Sequence, residues 1–410
     1  MFPFSITVSS HPAARRFFMG YQTSFFNSIS QIQSSDWQIL AQNANPFLAY
    51  EFLKGLEEHY CVGQDTGWQP YFAVMHDEAT LIAVMPGYLK TDSLGEYVFD
   101  QGWAQAYQQH GLNYYPKWVS AIPFTPVSGQ RVLVHPDYPA DTVSSQLYRE
   151  AAALLGTQVS SLHILFAFAG PLDASLSWHP RYSVQFQWYN YDYAQFDDFL
   201  QALTSRKRRA FKKSRQQLTR QQITIERKVA ATITEQDIDF FILCYQRTYL
   251  KRSGHTGYLS EPFLRHIFAA MSDNVLLVMA KQNDERCASA LFFYDKTGLY
   301  GRYWGATHDI DGLHFECCYF QGIEFAIEHQ LPLFNPGTQG EHKILRGFEP
   351  VICRSFHYLY EPAFHDAVGD FVQREAAAIE GYYQQARNIL PFNDAFTSRL
   401  LTTTTKTVIP

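Results

Sequence analysis

The amino-acid sequence predicts an α/β fold with mixed sheets (α+β), built as two tandem units of the same architecture. Strand-like apolar runs alternate with segments of helical periodicity along the chain. One element order occurs twice within the 410 residues: strand, helix, helix, strand, strand, strand, helix, strand. A composition of 46% hydrophobic and 16% aromatic residues is sufficient for a large buried core.

The first unit is predicted over residues 29–190, after a flexible extension over residues 1–28. Its clearest helix begins at Asn45-Pro46, a capping residue followed by proline, and continues to His59. The other elements predicted for this unit are a short helix over 36–41, strands over 71–75, 81–89 and 97–99, a helix over 102–110, a strand over 118–122, a helix over 143–155 and a strand over 162–168.

The second unit is predicted over residues 191–362 and begins with a basic helix over 205–220. A capping box at Thr234 and the pair Glu261-Pro262 mark the starts of its next two helices. The remaining predicted elements are strands over 223–229, 275–280, 288–294 and 299–304, a helix over 313–329, and strands over 331–335 and 355–360. A C-terminal helix over 363–388 and a tail over 389–410 complete the chain.

Glu316 is an anomaly in the helix predicted over 313–329. At 100° per residue it projects among apolar side chains, away from the polar stripe that contains His314 and Glu324. Burial raises the pKa of a carboxyl group, which suits it to act as a general base near neutral pH. The alternative is that an acid in the first turn only offsets the helix dipole.

The loop after the strand over 331–335 groups an acid, an imidazole and an amine among glycines. Glu341 and His342 are further candidates for the general base. Lys343, together with Arg302 on the strand over 299–304, is a candidate donor to an oxyanion. Glycines let backbone approach a ligand, and loops at strand ends often carry sites. The alternative is a solvated surface turn.

The basic helix carries eight Lys or Arg residues over 206–220, and no acid interrupts them. Like charges one turn apart destabilise a helix, so this density predicts an anionic partner. The candidates are RNA, a nucleotide-linked precursor or lipid headgroups; the alternative is a solvated basic face. The candidate phosphate-binding residues are Arg206, Arg208, Arg209, Lys212 and Lys213, with Lys117 beside two tyrosines as a further cation that faces a ligand or only water.

Several classes of protein are disfavoured by composition. A net charge of −6 gives no global signal for nucleic acid, so only local clusters could bind it. The six cysteines form no CxxC pair and no metal spacing, which predicts reduced core residues of a cytoplasmic protein and no metal site. No apolar run reaches about 18 residues, so no transmembrane segment is expected.

Short strings across the chain carry a resemblance to a known family. They lie at residues 45–48, 95–100, 115–117, 123–127, 205–208, 299–305, 313–316 and 339–343. Together with the repeated element order, they resemble the tandem GNAT-like acyltransferases. Within these, the chain is similar to a bacterial FemAB-like group of predicted N-acyltransferases, also labelled peptidoglycan biosynthesis/recognition proteins.

The resemblance implies transfer of an acyl or aminoacyl group onto an amine, possibly of a peptidoglycan precursor. It implies acyl-CoA or aminoacyl-tRNA as a co-substrate and no tightly bound cofactor. The alternative is a non-catalytic binding protein for a cell-wall precursor or RNA, built on a degenerate GNAT pair. A peripheral membrane protein is a third option.

The sequence departs from the family pattern at one loop. GNAT proteins commonly hold the pyrophosphate of CoA on a glycine-rich loop before the helix that corresponds to 313–329. Here that loop has one glycine, Gly312, and two acids, Asp309 and Asp311. Carboxylates compete with phosphate for the amides of a helix N-terminus. The basic helix, which Fem enzymes also carry at the start of their second half, fits tRNA or a phosphorylated precursor better.

Overall fold

A computed structural model describes residues 20–168, 170, 176–338 and 340–403. Its strands are β1 (Gln22–Phe26), β2 (Trp68–Pro70), β3 (Phe72–Asp77), β4 (Thr80–Met85), β5 (Tyr88–Lys90), β6 (Lys117–Ser120), β7 (Leu133–Val134), β8 (Ser161–Ile164), β9 (His179–Tyr189), β10 (Ile223–Val229), β11 (Val275–Gln282), β12 (Glu285–Asp295), β13 (Gly298–Ala306), β14 (Leu333–Asn335) and β15 (Glu349–Leu359). Its α-helices are α1 (Ser34–Ala41), α2 (Tyr50–Glu58), α3 (Gln101–Gln109), α4 (Ala140–Leu155), α5 (Phe196–Ala202), α6 (Ser205–Arg220), α7 (Glu235–Ser253), α8 (Glu261–Ala270), α9 (Leu313–Phe315), α10 (Gln321–Glu328), α11 (Pro362–Asn388) and α12 (Asp394–Thr403).

Two sheets organise the described residues. The larger has eleven strands in the order β10-β11-β12-β13-β14-β9-β15-β8-β6-β5-β2, and the smaller has the order β1-β3-β4-β7. The larger sheet runs through both halves of the chain, because β9 pairs with β14 on one side and with β15 on the other. Strand β15 in turn pairs with β8 of the first half. The boundary between 190 and 191 stays a prediction, and strand pairing crosses it.

A hydrophobic core also joins the two halves. The ring of Phe47 lies 5.0 Å from that of Phe293 and 5.5 Å from that of Tyr300. Phe52 of α2 meets Phe263 of α8 edge to face at 5.5 Å. Buried aromatic pairs of this geometry stabilise beyond the apolar area that they cover. The halves therefore pack as one unit.

Three sequence predictions at the ends and in the first half are wrong. Residues 22–26 are not a flexible extension, because β1 pairs along β3 and Phe25 stacks on Tyr71 at 4.4 Å; residues 1–19 lie outside the described residues. Residues 97–99 form no strand, because Tyr97 has a left-handed φ of 61°. The tail over 389–410 contains helix α12.

The basic helix and the cysteine prediction are confirmed. Helix α6 covers Ser205–Arg220, with Phe211 and Leu218 as its buried residues. All six cysteines are free thiols; five are buried and Cys318 is half-buried. Among the described residues, no helix has both the length and the apolar character needed to cross a membrane.

Candidate active site

A cavity opens where β13 and β14 diverge. The two strands are parallel and in register at two residue pairs only, Leu299 with Phe334 and Tyr300 with Asn335. Beyond these pairs β13 continues to Ala306, whereas β14 ends. Ligands of open α/β sheets bind beyond the carboxyl ends of the strands. A cavity of about 710 Å³ lies there, a volume suited to a small ligand or to the reacting end of a large one.

Arg302 lies in the wall of this cavity because β13 carries a β-bulge. Phe292 of β12 opposes Gly301 and Leu291 opposes Tyr303, which leaves Arg302 unmatched between them. Its Nη2 donates to the carbonyl oxygen of Phe124 at 2.7 Å. Its Nε is buried with no hydrogen-bond partner in the described structure, and such a donor calls for a ligand or a water. The predicted donor is therefore at the cavity.

Lys343 reaches the same cavity from the loop after β14. Gly337 and Gly340 have φ values of 87° and 105°, which favour glycine and let the loop fold back over the strand ends. The Lys343 side chain is buried, and its Nζ donates to the carbonyl oxygen of Gly337 at 2.5 Å. Burial, with repulsion from the Arg302 charge, lowers the pKa of Lys343 to about 7. This amine therefore changes charge near neutral pH.

Two histidines lie beside Lys343. His342 Nε2 is 2.7 Å from the hydroxyl oxygen of Tyr319, and the His314 ring lies 5.4 Å from the Tyr319 ring. Burial, with repulsion from neighbouring cations, lowers the pKa of His314 to about 4 and also lowers that of His342. Both imidazoles are therefore neutral at pH 7. A neutral imidazole can accept a proton, which fits the prediction of His342 as a candidate base.

No Asp or Glu lines the cavity within the described part of the chain. Its cations are Arg252, Arg302 and Lys343. Its tyrosines are Tyr97, Tyr245, Tyr249, Tyr258, Tyr303 and Tyr319. Sequence reasoning missed Arg252 and most of these tyrosines, because they come from α7 and from loops far away in sequence. The available signal was the i, i+4 spacing of Tyr245 and Tyr249, which predicted only a buried helix face.

Glu316 is buried, but the prediction that it is a base at the site is corrected. It belongs to a π-helical segment, Glu316–Phe320, between α9 and α10. Its carboxylate accepts from Arg215 Nε at 3.0 Å and Nη2 at 2.8 Å, and from Gln321 Nε2 at 2.7 Å. A π-helical turn has i→i+5 spacing, so projection at 100° per residue does not apply across it. Glu316 therefore binds the basic helix and does not line the cavity.

The other predicted residues of the loop and of the first half also lie away from the cavity. Glu341 is exposed, and its Oε1 accepts from the hydroxyl of Tyr382 on α11 at 2.9 Å. Lys117 is fully buried and faces no ligand. Its Nζ donates to Glu96 Oε2 at 2.8 Å and to Asp100 Oδ2. Both predictions are corrected, because protein groups already hold these side chains.

The first half contains a second parallel pair, β6 and β8, but its ends are closed. Leu165 donates its N–H to the carbonyl oxygen of Ser120 at 2.9 Å, just beyond the paired residues. The buried Arg131 guanidinium fills the adjoining space and donates to the carbonyl oxygens of Leu165 and Val127, each at 2.7 Å. The first half therefore packs this position with protein, where the second half has a cavity.

Helix α6 lies across the start of α9. A Cβ on Gly312 would lie 2.9 Å from Ser214 Oγ, and Gln217 Nε2 donates to Asp311 at 3.3 Å. Among the described residues, Arg215 is the α6 cation that forms ion pairs, with Glu316 and Glu324. The predicted phosphate-binding residues are exposed or half-exposed without an ion pair: Arg206, Arg208, Arg209, Lys212 and Lys213.

Positive charge continues from α6 towards the cavity. Lys207 lies close enough to Arg346 that repulsion from it adds to burial and to Arg206 in lowering the Lys207 pKa. The Arg346 guanidinium stacks on the Phe315 ring at 3.3 Å and donates to the carbonyl oxygen of His342 at 2.5 Å. We call the cations of α6 together with Arg346 the cationic track. It ends at the residues that line the cavity.

Comparisons with known proteins follow this geometry. A family model described as FemAB-like, peptidoglycan biosynthesis/recognition, matches residues 28–394. No protein of curated function matches the chain. The C-terminal domain (DUF2156) of a putative lysylphosphatidylglycerol synthetase from Agrobacterium fabrum is 10% identical, with a TM-score of 0.50 over 85% of this chain and 97% of that chain.

Two further solved structures are similar. FemX is 12% identical, with a TM-score of 0.49 over 83% of this chain and 98% of that chain. A tandem GNAT protein from the clavulanic acid biosynthesis pathway is 10% identical, with a TM-score of 0.43 over 84% of this chain and 99% of that chain. The predicted fold, a mixed α/β fold of two tandem GNAT-like units, is confirmed.

Proposed function

Because the chain belongs to the FemAB-like family of peptidoglycan biosynthesis/recognition proteins, we propose that it is an N-acyltransferase that uses aminoacyl-tRNA. It moves an aminoacyl group onto an amine of a cell-wall precursor. One observation carries the choice of donor: the cationic track leads from α6 to a cavity lined by Arg252, Arg302 and Lys343. A polyanion bound along such a track places its end in the cavity.

The loop over 307–312 supports tRNA over acyl-CoA. Its carboxylates stay on this loop, with Asp309 3.3 Å from Lys251 and Asp311 bonded to Gln217. Ser214 of α6 lies against Gly312, where a pyrophosphate would need open backbone. Phosphate bound at a helix N-terminus requires free amides and no competing acid. The basic helix thus covers the place that a CoA pyrophosphate would take.

In the proposed mechanism, the acceptor amine attacks the ester carbonyl carbon of the aminoacyl group. A C–N bond forms, and the carbonyl oxygen takes the negative charge. Arg302 and protonated Lys343 donate hydrogen bonds to this oxyanion, a role that typically contributes 10²–10³ in rate. The C–O bond to the ribose then breaks. Neutral His342 takes the proton of the amine and delivers it to the departing ribose oxygen.

The proposal is tested with donors presented separately to the purified protein. Aminoacyl-tRNA raises the melting temperature because it binds the folded state, and millimolar acetyl-CoA does not. A label on the aminoacyl group moves to an amine of a nucleotide-linked cell-wall precursor. Lys343→Met lowers this transfer about 10²-fold or more, whereas Lys296→Met, on the turn between β12 and β13, leaves it unchanged. A melting shift with acetyl-CoA would overturn the assignment of the donor.

A non-catalytic binding protein is the second candidate, and the absence of a carboxylate from the cavity wall favours it. Such a protein binds tRNA or precursor through the same track without turnover. Transfer of label by the unmodified protein rejects this candidate. Salt-sensitive tRNA binding with no transfer from charged tRNA to the precursor supports it.

A further inference from the structure

One end of the cavity is cationic. The charges of Arg252 and Lys343 both act on the Cys318 thiol, which places the two cations on either side of it. They also act on the His314 ring in the same wall. Cys318 and His314 both line the cavity. We call the surface formed by Arg252, His314, Cys318 and Lys343 the cationic end.

The opposite wall consists of aromatic rings. The Tyr245 ring lies 4.8 Å from that of Tyr249 and 5.1 Å from that of Tyr303. Tyr249 and Tyr258 are 6.0 Å apart. Tyr97 lies near all four, because each senses its hydroxyl electrostatically. We call these five residues the tyrosine wall, a surface of ring faces and hydroxyl groups without a carboxylate.

The first half of the chain supplies Tyr97. Its φ of 61° is disfavoured for a residue with a side chain and persists only where the surroundings hold it. The neighbours Glu96 and Asp100 are buried and both accept from Lys117, which is also buried. Lys117 is therefore a positioning residue: it holds the segment over 96–100 in place, and Tyr97 projects from that segment into the cavity.

We infer that the cavity binds a ligand that joins an anionic group to an uncharged, ring-bearing part. The anion lies between Arg252 and Lys343, and the ring lies on the tyrosine wall that Tyr97 completes. Ring faces stack on nucleobases and on sugars, and cations hold phosphates. This inference deepens the proposed function by naming the chemistry that binds there. A terminal nucleotide of tRNA and a sugar phosphate of a precursor both have this chemistry.

Two probes separate the two ends. Phenyl phosphate carries a ring and a phosphate, and inorganic phosphate lacks the ring. We expect the unmodified protein to bind phenyl phosphate at least tenfold more tightly, measured by NMR titration. Tyr97→Ala loses most of that preference and leaves the affinity for inorganic phosphate unchanged. Tyr97→Phe keeps the preference, and so does the control Tyr60→Ala, a tyrosine that is 86% exposed away from the cavity.

Arg252→Ala is expected to weaken both probes by the same factor. Glu96→Ala frees one of the two anchors on Lys117 and is expected to reduce the preference for the ring without changing phosphate binding. An unchanged preference in Tyr97→Ala, or no preference in the unmodified protein, overturns the inference.

Two natural fragments then distinguish the sources of the ligand. Tighter binding of adenosine 5′-monophosphate assigns the wall to a nucleotide, and tighter binding of N-acetylglucosamine 1-phosphate assigns it to a precursor sugar. Neither measurement requires transfer activity. A protein that prefers phenyl phosphate but transfers nothing supports the inference while the proposed function fails. A protein that transfers aminoacyl groups without this preference gives the reverse result.

Discussion

Arg215 of the basic helix forms a two-point ion pair with the buried Glu316 of the π-helical segment, at 2.8 and 3.0 Å. A third bond, from Nη1 at 2.6 Å, joins Arg215 to Glu324 on α10. The guanidinium also stacks on Phe196 at 4.5 Å. One side chain thus fixes α6 to the element that carries His314, Cys318 and Tyr319 into the cavity.

Removing this side chain is expected to destabilise the protein. Arg215→Ala leaves the Glu316 carboxylate, whose side chain is 5% exposed, without its cation. Breaking a buried pair costs about 3–5 kcal/mol, and the one-third exposure of Arg215 lowers the expected loss to about 2 kcal/mol. Urea unfolding measures it. Arg209→Ala, at an exposed position of the same helix, is the control and stays within about 0.5 kcal/mol. Equal stability of the two variants would contradict a clamping role.

Lys343 is expected to make stability depend on pH. Its folded pKa of about 7 lies well below the usual lysine value near 10.4. Between these values the unfolded chain binds more protons, so stability rises with pH in this window. Relative to Lys343→Met, the unmodified protein gains up to about 1.4 kcal/mol per pH unit from pH 7 to 9. Chemical unfolding at several pH values measures the difference. A constant difference would mean that the amine stays charged.

The same group is expected to set the alkaline limb of the transfer rate. Protonated Lys343 donates to the oxyanion in the proposed mechanism, so the rate falls as pH rises through about 7. Lys343→Arg keeps a charge at all these pH values and is expected to lose the alkaline fall, at a lower maximal rate. The pH profile of kcat with aminoacyl-tRNA measures both. A limb near pH 7 that persists in Lys343→Arg would point to another group.

Charge reversal on α6 is expected to weaken binding of polyanions without unfolding the protein. Arg208, Arg209 and Lys212 form no ion pair in the described structure, so changing them to Glu breaks none. The triple variant is expected to bind tRNA more weakly, with a salt dependence shallower by about 3 contacts. Filter binding over a salt series measures this.

The matched control for that variant reverses three cations on other elements: Lys54, Lys296 and Arg374. It changes the net charge by the same amount. If the control loses as much affinity as the α6 variant, the effect is one of overall charge and the helix is not the binding surface.

Lys117 is expected to be essential for stability. Lys117→Met leaves the buried carboxylates of Glu96 and Asp100 without a cation, which costs about 3–5 kcal/mol. The triple change Lys117→Met, Glu96→Gln, Asp100→Asn removes the stranded charges and is expected to recover part of the loss. Burial already raises the pKa of Glu96 to about 7, against the Lys117 charge that lowers it. A triple variant less stable than the single one would contradict this reading.

Element type and order could be predicted from sequence wherever periodicity and capping are local. Helix α6 and the strands around the cavity follow from such patterns. The convergence of Arg302 with His342 and Lys343 could also be predicted, because parallel strands bring their carboxyl ends to one edge.

The predictions that failed depend on information that local pattern does not contain. The wide turn at Glu316–Phe320 shifts the helical phase, so a helical wheel misplaced Glu316. Lys117 resembled a surface cation until Glu96 and Asp100, about 20 residues away in sequence, were found to enclose it. The tyrosine wall assembles from both halves of the chain, which no single segment reveals.

The exchange of strands has an evolutionary consequence. Strand β15, near the end of the chain, is held between β9 and β8, so each half of the duplication is finished by a strand from across the midpoint. Recombination at residue 190 would leave both descendants with an unpaired sheet edge. Loss of the half without a cavity is therefore blocked, even though that half holds no counterpart of the ligand space. The two copies are expected to be inherited together and to diverge in sequence while their junction stays intact.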